Sequence, residues 1–135
     1  MPSSVVTLRI PETSRQWLER EARAAGNTVS STAARLLEEG IRHKQFPEID
    51  FHETETGSLP FVAGTRVAVW LAHAVARDYG FDPEKLAQHF QWPRLRAEAV
   101  LGYAKTYAEE MAVQEADHQA LFETLERRSA GRLSA

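Results

Sequence analysis

The stretch from Val5 to Arg42 restricts this chain more than any other. It opens with VVTLRI, in which Thr7 and Arg9 alternate with apolar Val6, Leu8 and Ile10. Successive side chains on a strand point to opposite faces. The alternation therefore predicts one short strand with Val6, Leu8 and Ile10 on one face and Val5, Thr7 and Arg9 on the other. Helical spacing follows. Trp17, Leu18, Ala22 and Ala25 recur at three- and four-residue intervals, and Gly26 supplies a stop. A second helix is predicted behind Ser30, placed as its N-cap, with Ala33, Leu36, Leu37 and Ile41 as its apolar residues. A solitary strand leaves backbone N–H and C=O groups unpaired on both edges, and a unit this small buries little surface alone. Two copies that pair strand to strand and interlock their helices remove both problems. The sequence thus predicts a homodimer built about a two-stranded antiparallel ribbon.

The order strand, helix, turn, helix, with the Thr7-x-Arg9 pair on the outward strand face, resembles the ribbon-helix-helix family of DNA-binding repressors. The resemblance covers roughly the first third of the chain. It implies a dimeric β-α-α unit at residues 1–45 whose ribbon enters the major groove of operator DNA. Arg9 and Thr7 suit base edges or phosphates there, and Val5 suits a thymine methyl. Ser30 and Ser31, at a helix N-terminus, would present free N–H groups to a DNA phosphate. Charge agrees with this assignment. Residues 1–45 hold seven basic and five acidic residues, a balance of +2. The remainder holds nine basic and fourteen acidic residues, a balance of −5, which suits a protein partner better than a phosphate backbone.

Residues 43–62 change character. HKQFPEIDFHETETGSLPFV contains two prolines, four acids from Glu48 to Glu55 and no basic residue after Lys44. Two extended pieces, Ile49–His52 and Leu59–Val62, joined around Thr56-Gly57-Ser58, predict a small hairpin, because Phe46, Ile49, Phe51, Phe61 and Val62 require burial. The boundary between two units is expected near His43–Pro47. Beyond Gly64 the pattern is helical. Val69, Trp70, His73, Ala74 and Arg77 share a stripe that Gly80 ends, and Asp82 caps the next helix with Pro83 at its first position. Leu95, Ala99, Val100, Tyr103, Tyr107 and Met111 predict a long helix, and Ala116 to Arg128 a last one, before a tail at 129–135.

This second part, FPEIDFHETETGSLPFVAGTRVAVW with GFDPEKLAQHF and WPRLRAEAVLGYAKTYAEEM, is similar to a small domain of unknown function that recurs in bacterial antitoxins. The likeness rests on Gly64-Thr65-Arg66, the Trp70 helix, the Asp82-Pro83-Glu84 helix start and the Tyr103 to Glu110 helix. It implies a helix-turn-helix-like domain at residues 46–128 and a toxin partner resembling the PIN-type ribonucleases. Many members of that family carry a proline before the acidic pair that ends the long helix. Here Ala108-Glu109-Glu110 stands instead, so the helix is expected to run on unbroken.

The fold class expected is therefore mainly α: an N-terminal ribbon-helix-helix unit and a small helical domain with a short β-hairpin. For the toxin, Leu121, Phe122 and Leu125 form a compact apolar patch that an amphipathic helix would offer as anchors. A site around Trp70 and the Gly64-Thr65-Arg66 turn is the alternative. The expected function is an antitoxin: a dimer, or a higher oligomer, that binds operator DNA, regulates its own operon and neutralises the toxin. The alternative is a stand-alone dimeric repressor whose second domain senses a ligand or assembles dimers. No enzyme and no cofactor is expected. His43, His52, His73, His89 and His118 lack metal-ligand spacing, and the chain has no cysteine. His73 is expected as a satisfied core residue, and Trp17, Trp70 and Trp92 as core aromatics. With no apolar run of spanning length and no secretion signal, the expected location is the cytoplasm.

Overall fold

The computed structural model describes residues 3–133. Among them the chain is mainly helical, with one small antiparallel sheet. In order the elements are α1 (Glu12–Ala25), α2 (Val29–Gln45), β1 (Ile49–Thr54), β2 (Gly57–Val62), α3 (Val69–Asp78), α4 (Pro83–Phe90), α5 (Arg94–Thr106) and α6 (Ala108–Leu133). No helix among the described residues is long and apolar enough to cross a membrane. The chain divides into two compact units, one ending at Ile41 and one beginning at Arg42. The division falls inside α2 rather than after it.

In the first unit α1 ends where its sequence dictates. Gly26 takes the left-handed conformation, φ 68°, which costs a glycine nothing. Its N–H donates to Arg23 O, and that of Asn27 donates to Ala22 O at 2.8 Å. Among the described residues of this unit only Leu18, Ala22 and Thr32 are buried. The expected strand at Val5–Ile10 is not formed: the segment from Ser3 to Ile10 has no regular structure and is exposed throughout. The two strands among the described residues follow α2, so the single chain does not show the order β-α-α. The physical reason is plain, since a strand exists only where a second strand pairs with it. Trp17, expected in a core, is 44% exposed.

The second unit starts from the hairpin. β1 and β2 pair from Ile49↔Val62 to Thr54↔Gly57, which leaves Glu55-Thr56 as a two-residue turn. The strands are longer and the turn earlier than the sequence pattern suggested. Ile49 and Val62 are fully buried, and with Val69, Ala72, Val100, Tyr103, Ala104 and Met111 they form the main core. Ala76, Leu86, Ala87 and Ala97 form a second cluster, where α4 joins α3 and α5. The Asp82 side chain accepts from Glu84 N–H at 2.9 Å, with Pro83 at the first helical position, as the sequence requires.

The long helix does not run on. Tyr107, at φ −115° and ψ 40°, separates α5 from α6. In one straight helix Tyr103 and Met111, eight positions apart, would stand about 80° apart around the axis. With the break, both side chains are fully buried in the same core. Beyond it, α6 is a single helix that takes in the stretch from Ala116 and reaches Leu133, so the tail expected from 129 is helical through Leu133.

Arg42 holds this region together. Its guanidinium donates to both Glu110 carboxylate oxygens at 2.7 Å and to the Tyr103 hydroxyl at 3.0 Å. It also lies 3.7 Å from the centre of the Tyr107 ring. The Phe46 ring meets Tyr103 edge-on at 5.2 Å. Arg42→Ala should destabilise the second unit by about 2–4 kcal/mol, since it leaves a buried phenol and a carboxylate unpaired. Arg42→Lys should recover little of that loss, for want of the two-pronged geometry. Urea denaturation measures both.

Alkali provides a second check. Burial pushes the Tyr103 hydroxyl up to about 12, against the opposing hydrogen bond from Arg42. A raised native value means that stability is complete below the unfolded value near 10 and is lost as pH rises through about 12. The loss should be on the order of 2 kcal/mol and absent in Tyr103→Phe, followed by denaturation at pH 9 to 12.

Candidate functional site

Two regions carry the residues to which the sequence assigned function. The first is the N-terminal segment with the start of α2. Val5, Thr7 and Arg9 are exposed, and Val5 is almost wholly in solvent. Val6, Leu8 and Ile10, expected to be covered, are 73%, 63% and 45% exposed.

At the start of α2 the cap is Thr28, not Ser30. Thr28 Oγ1 accepts from Ser31 N–H at 3.0 Å, and the Ser31 hydroxyl donates to Thr28 O at 3.1 Å. Thr32 adds a hydroxyl bond to the same carbonyl at 2.9 Å. A threonine serves as N-cap by satisfying the third helical N–H. Ser30 and Ser31 therefore occupy the second and third helical positions. The threonine signal was legible in the sequence, two residues before the serine that was preferred. By their place in the helix, the N–H groups of Val29 and Ser30 have no carbonyl one turn behind them. That end of the helix can accept an anion, and both serine side chains beside it are exposed.

The second region is a groove of about 390 Å³ in the second unit, between the hairpin, α3 and α6. Each wall has a local cause. Gly64, at φ 73°, turns the chain after β2. Thr65 locks that turn, its hydroxyl donating to Val62 O at 2.8 Å and accepting from Val67 N–H at 3.0 Å. The exposed Arg66 follows at the groove lip. From α3 comes Trp70, whose ring lies 4.6 Å from that of His118 on α6. Gln114 and Leu121, also on α6, complete the wall. The Gln114 Oε1 is buried without a hydrogen-bond partner.

The structure brings Leu121 together with Trp70 and Arg66, two sets of residues that the sequence treated as alternatives. It does not bring Phe122 and Leu125 with them: they lie outside the groove, 56% and 51% exposed. On a helix Leu121 and Phe122 point about 100° apart, so adjacent apolar residues do not make one face. The buried Gln114 Oε1 escaped the sequence reading because nothing in the sequence marks one glutamine atom for burial.

Electrostatics beside the groove is set by α3 and α6. Arg77 pairs with Glu115 through two hydrogen bonds of 3.2 and 3.0 Å. The bond from Arg77 lowers the Glu115 carboxyl below its ordinary value. The histidines are scattered: His43 Nδ1 sits 2.7 Å from Ile49 O, and His89 Nδ1 sits 3.0 Å from the Tyr79 hydroxyl. No group of three metal-binding side chains converges among the described residues.

No protein-family model, no curated protein and no solved structure matches this chain. The corrected cap is open to direct test. Thr28→Ala should cost about 1 kcal/mol, and Ser30→Ala much less. The reverse order in thermal unfolding would return the cap to Ser30.

Proposed function

We propose that this chain is the antitoxin of a toxin–antitoxin pair. It acts as a dimer that binds operator DNA through its N-terminal unit, represses its own operon and neutralises a ribonuclease toxin of the PIN-like kind. The observation that carries this reading is the exposure of Val6, Leu8 and Ile10 at alternate positions. Three apolar side chains of one parity in solvent are what a chain leaves when its pairing strand belongs to another copy. Trp17, Leu37 and Ile41, exposed on α1 and α2, extend the apolar surface that a second copy would cover.

In that dimer the opposite strand face carries Val5, Thr7 and Arg9 from each copy. A two-stranded ribbon fits the major groove, where arginine reads guanine edges with two hydrogen bonds. The N-terminus of each α2, with Ser30 and Ser31, holds a phosphate and sets the register. The groove at Trp70, Leu121 and Arg66 is the seat for the toxin: aromatic and aliphatic walls take an apolar anchor, and Arg66 takes an acidic neighbour. The protein acts by binding alone and needs no cofactor.

The reading is tested on DNA from the chain's own promoter and on the product of the adjacent open reading frame. Arg9→Ala should cost about 1–3 kcal/mol per lost base contact, counted twice in a dimer, and relax sequence preference in gel-shift titration. Leu8→Asp should abolish dimerisation in light scattering, because it would bury an unpaired charge. A wild-type chain that is monomeric at micromolar concentration, or an Arg9→Ala variant that binds DNA like wild type, defeats the DNA-binding reading. Toxin capture separates the two anchor sets. Arg66→Glu with Leu121→Asp should abolish co-purification with the toxin, while Phe122→Ala with Leu125→Ala should leave it nearly intact. The opposite pattern moves the toxin to the exposed end of α6.

A further inference from the structure

The α6 wall of the groove is one stripe of a helix. Gln114, His118 and Leu121, which form it, recur at intervals of four and three. Across the groove stand Leu59 and Phe61 of the hairpin and Trp70 and Leu71 of α3. Leu125, four positions after Leu121, continues the stripe beyond the groove, with Phe122 beside it. Both are exposed. The unit thus carries an open apolar hollow and, one turn further along the same helix, an exposed apolar projection.

Charge on α6 is ordered along its length. Every acid of the helix, from Glu109 to Glu126, precedes its first base, Arg127. Asp117 and Arg128, four before and seven after Leu121, lie on one edge of the stripe, and both are exposed. Glu115 lies on the opposite edge, where Arg77 of α3 holds it. The edge with Asp117 and Arg128 is therefore the one turned away from α3. The lips of the groove hold one base and one acid, the exposed Arg66 and Glu55.

We propose that the hollow is filled by the projection of a second copy of this chain. The two α6 helices cross antiparallel, with the two-fold axis beside Phe122. Leu125 of each copy enters the groove of the other between His118 and Leu121, and the two Phe122 rings meet at the axis. One register satisfies every pair. Leu125 lies three positions past Phe122, and the gap between His118 and Leu121 lies two to three before it. Arg128 lies six positions past Phe122, and Asp117 five before it, so each Arg128 meets the Asp117 of the other copy. A parallel crossing would instead set Asp117 beside Asp117 and Arg128 beside Arg128, and like charges repel. Glu126 and Arg128, flanking Leu125, give the incoming segment both signs to set against Arg66 and Glu55. Because one patch is both projection and hollow, the contact closes on two copies and does not propagate. Few side chains take part, so the contact is weak, with a dissociation constant on the order of 10⁻⁴ M. The pairing covers the groove in which the toxin is proposed to sit, but it depends neither on that reading nor on the N-terminal ribbon.

Sedimentation equilibrium of the full chain, from about 1 µM to about 1 mM, tests the pairing. Leu8→Asp removes the proposed ribbon, so association left in that variant belongs to α6. The variant should be monomeric at micromolar concentration and dimerise toward the upper end of the range. Adding Phe122→Asp and Leu125→Asp should weaken this step at least tenfold, or about 1.4 kcal/mol. Both side chains are exposed in the single chain, so helix content by circular dichroism should not change. Asp117→Arg and Arg128→Asp should each weaken it about threefold or more, and the two together should restore it. The same step, on top of ribbon pairing, is read in the wild-type chain, so the test stands even where Leu8→Asp unfolds the first unit. Absence of the second step at about 1 mM overturns the proposal, as does association that ignores the Phe122 and Leu125 changes, or a double charge exchange that restores nothing.

Discussion

The second unit depends on one guanidinium. Arg42 enters from the last turn of α2 and meets a carboxylate, a phenol and an aromatic face at once. Arginine suits this position for a physical reason. Its planar fork matches the two oxygens of Glu110, and its weakly hydrated face can lie on Tyr107. Lysine could satisfy one of those demands at a time. The pairing is well shielded on the arginine side, whose side chain is only 12% exposed, while Glu110 remains partly solvated. A charge withdrawn from water to that extent requires all of its partners, and they come from both sides of the break at Tyr107.

That break determines what else the unit can offer. Because α6 starts anew at Ala108, it packs on α3. His118 then lies against Trp70, and Glu115 meets Arg77. The groove follows from this placement, because it needs Gln114, His118 and Leu121 opposite the hairpin and α3. A straight helix from Arg94 onward would have rotated those residues away from the hairpin and α3.

Much of this was legible in the sequence, and the failures have physical causes. Local chemistry read correctly: Asp82-Pro83 starts a helix, Gly26 stops one, and the hairpin lies where five apolar residues needed cover beside an acidic, turn-rich stretch. Thr28 was passed over because Ser30 is an equally good cap in composition, and only backbone geometry decides between them. The break at Tyr107 was invisible, since Ala108-Glu109-Glu110 has good helix propensity and the interruption is imposed by tertiary contacts of Tyr103, Tyr107 and Met111. Likewise Leu121, Phe122 and Leu125 looked like one patch in the linear sequence, while the fold turns Leu121 into a groove and leaves the other two outside. The buried, unpartnered Gln114 Oε1 and His73 Nδ1 lie beyond sequence reading altogether, because no local pattern specifies which polar atom the fold will close over.

The two units differ in how far each can stand alone, and that difference bears on how such a protein would work. The second unit buries Ile49, Val62, Val69, Leu86, Val100, Tyr103 and Met111 within its own chain. The first, among its described residues, buries only Leu18, Ala22 and Thr32, and leaves a whole strand-length segment exposed. If such a unit gains its stability from association, as proposed, its fold becomes a function of chain concentration. In the proposed dimer, strand pairing and the DNA-reading surface come into being in the same step. Dilution would then dissolve the reading head before it affected the second unit. On the proposed reading, operator occupancy would follow the chain's own abundance, while the groove at Trp70, formed within one chain, would be present at every concentration.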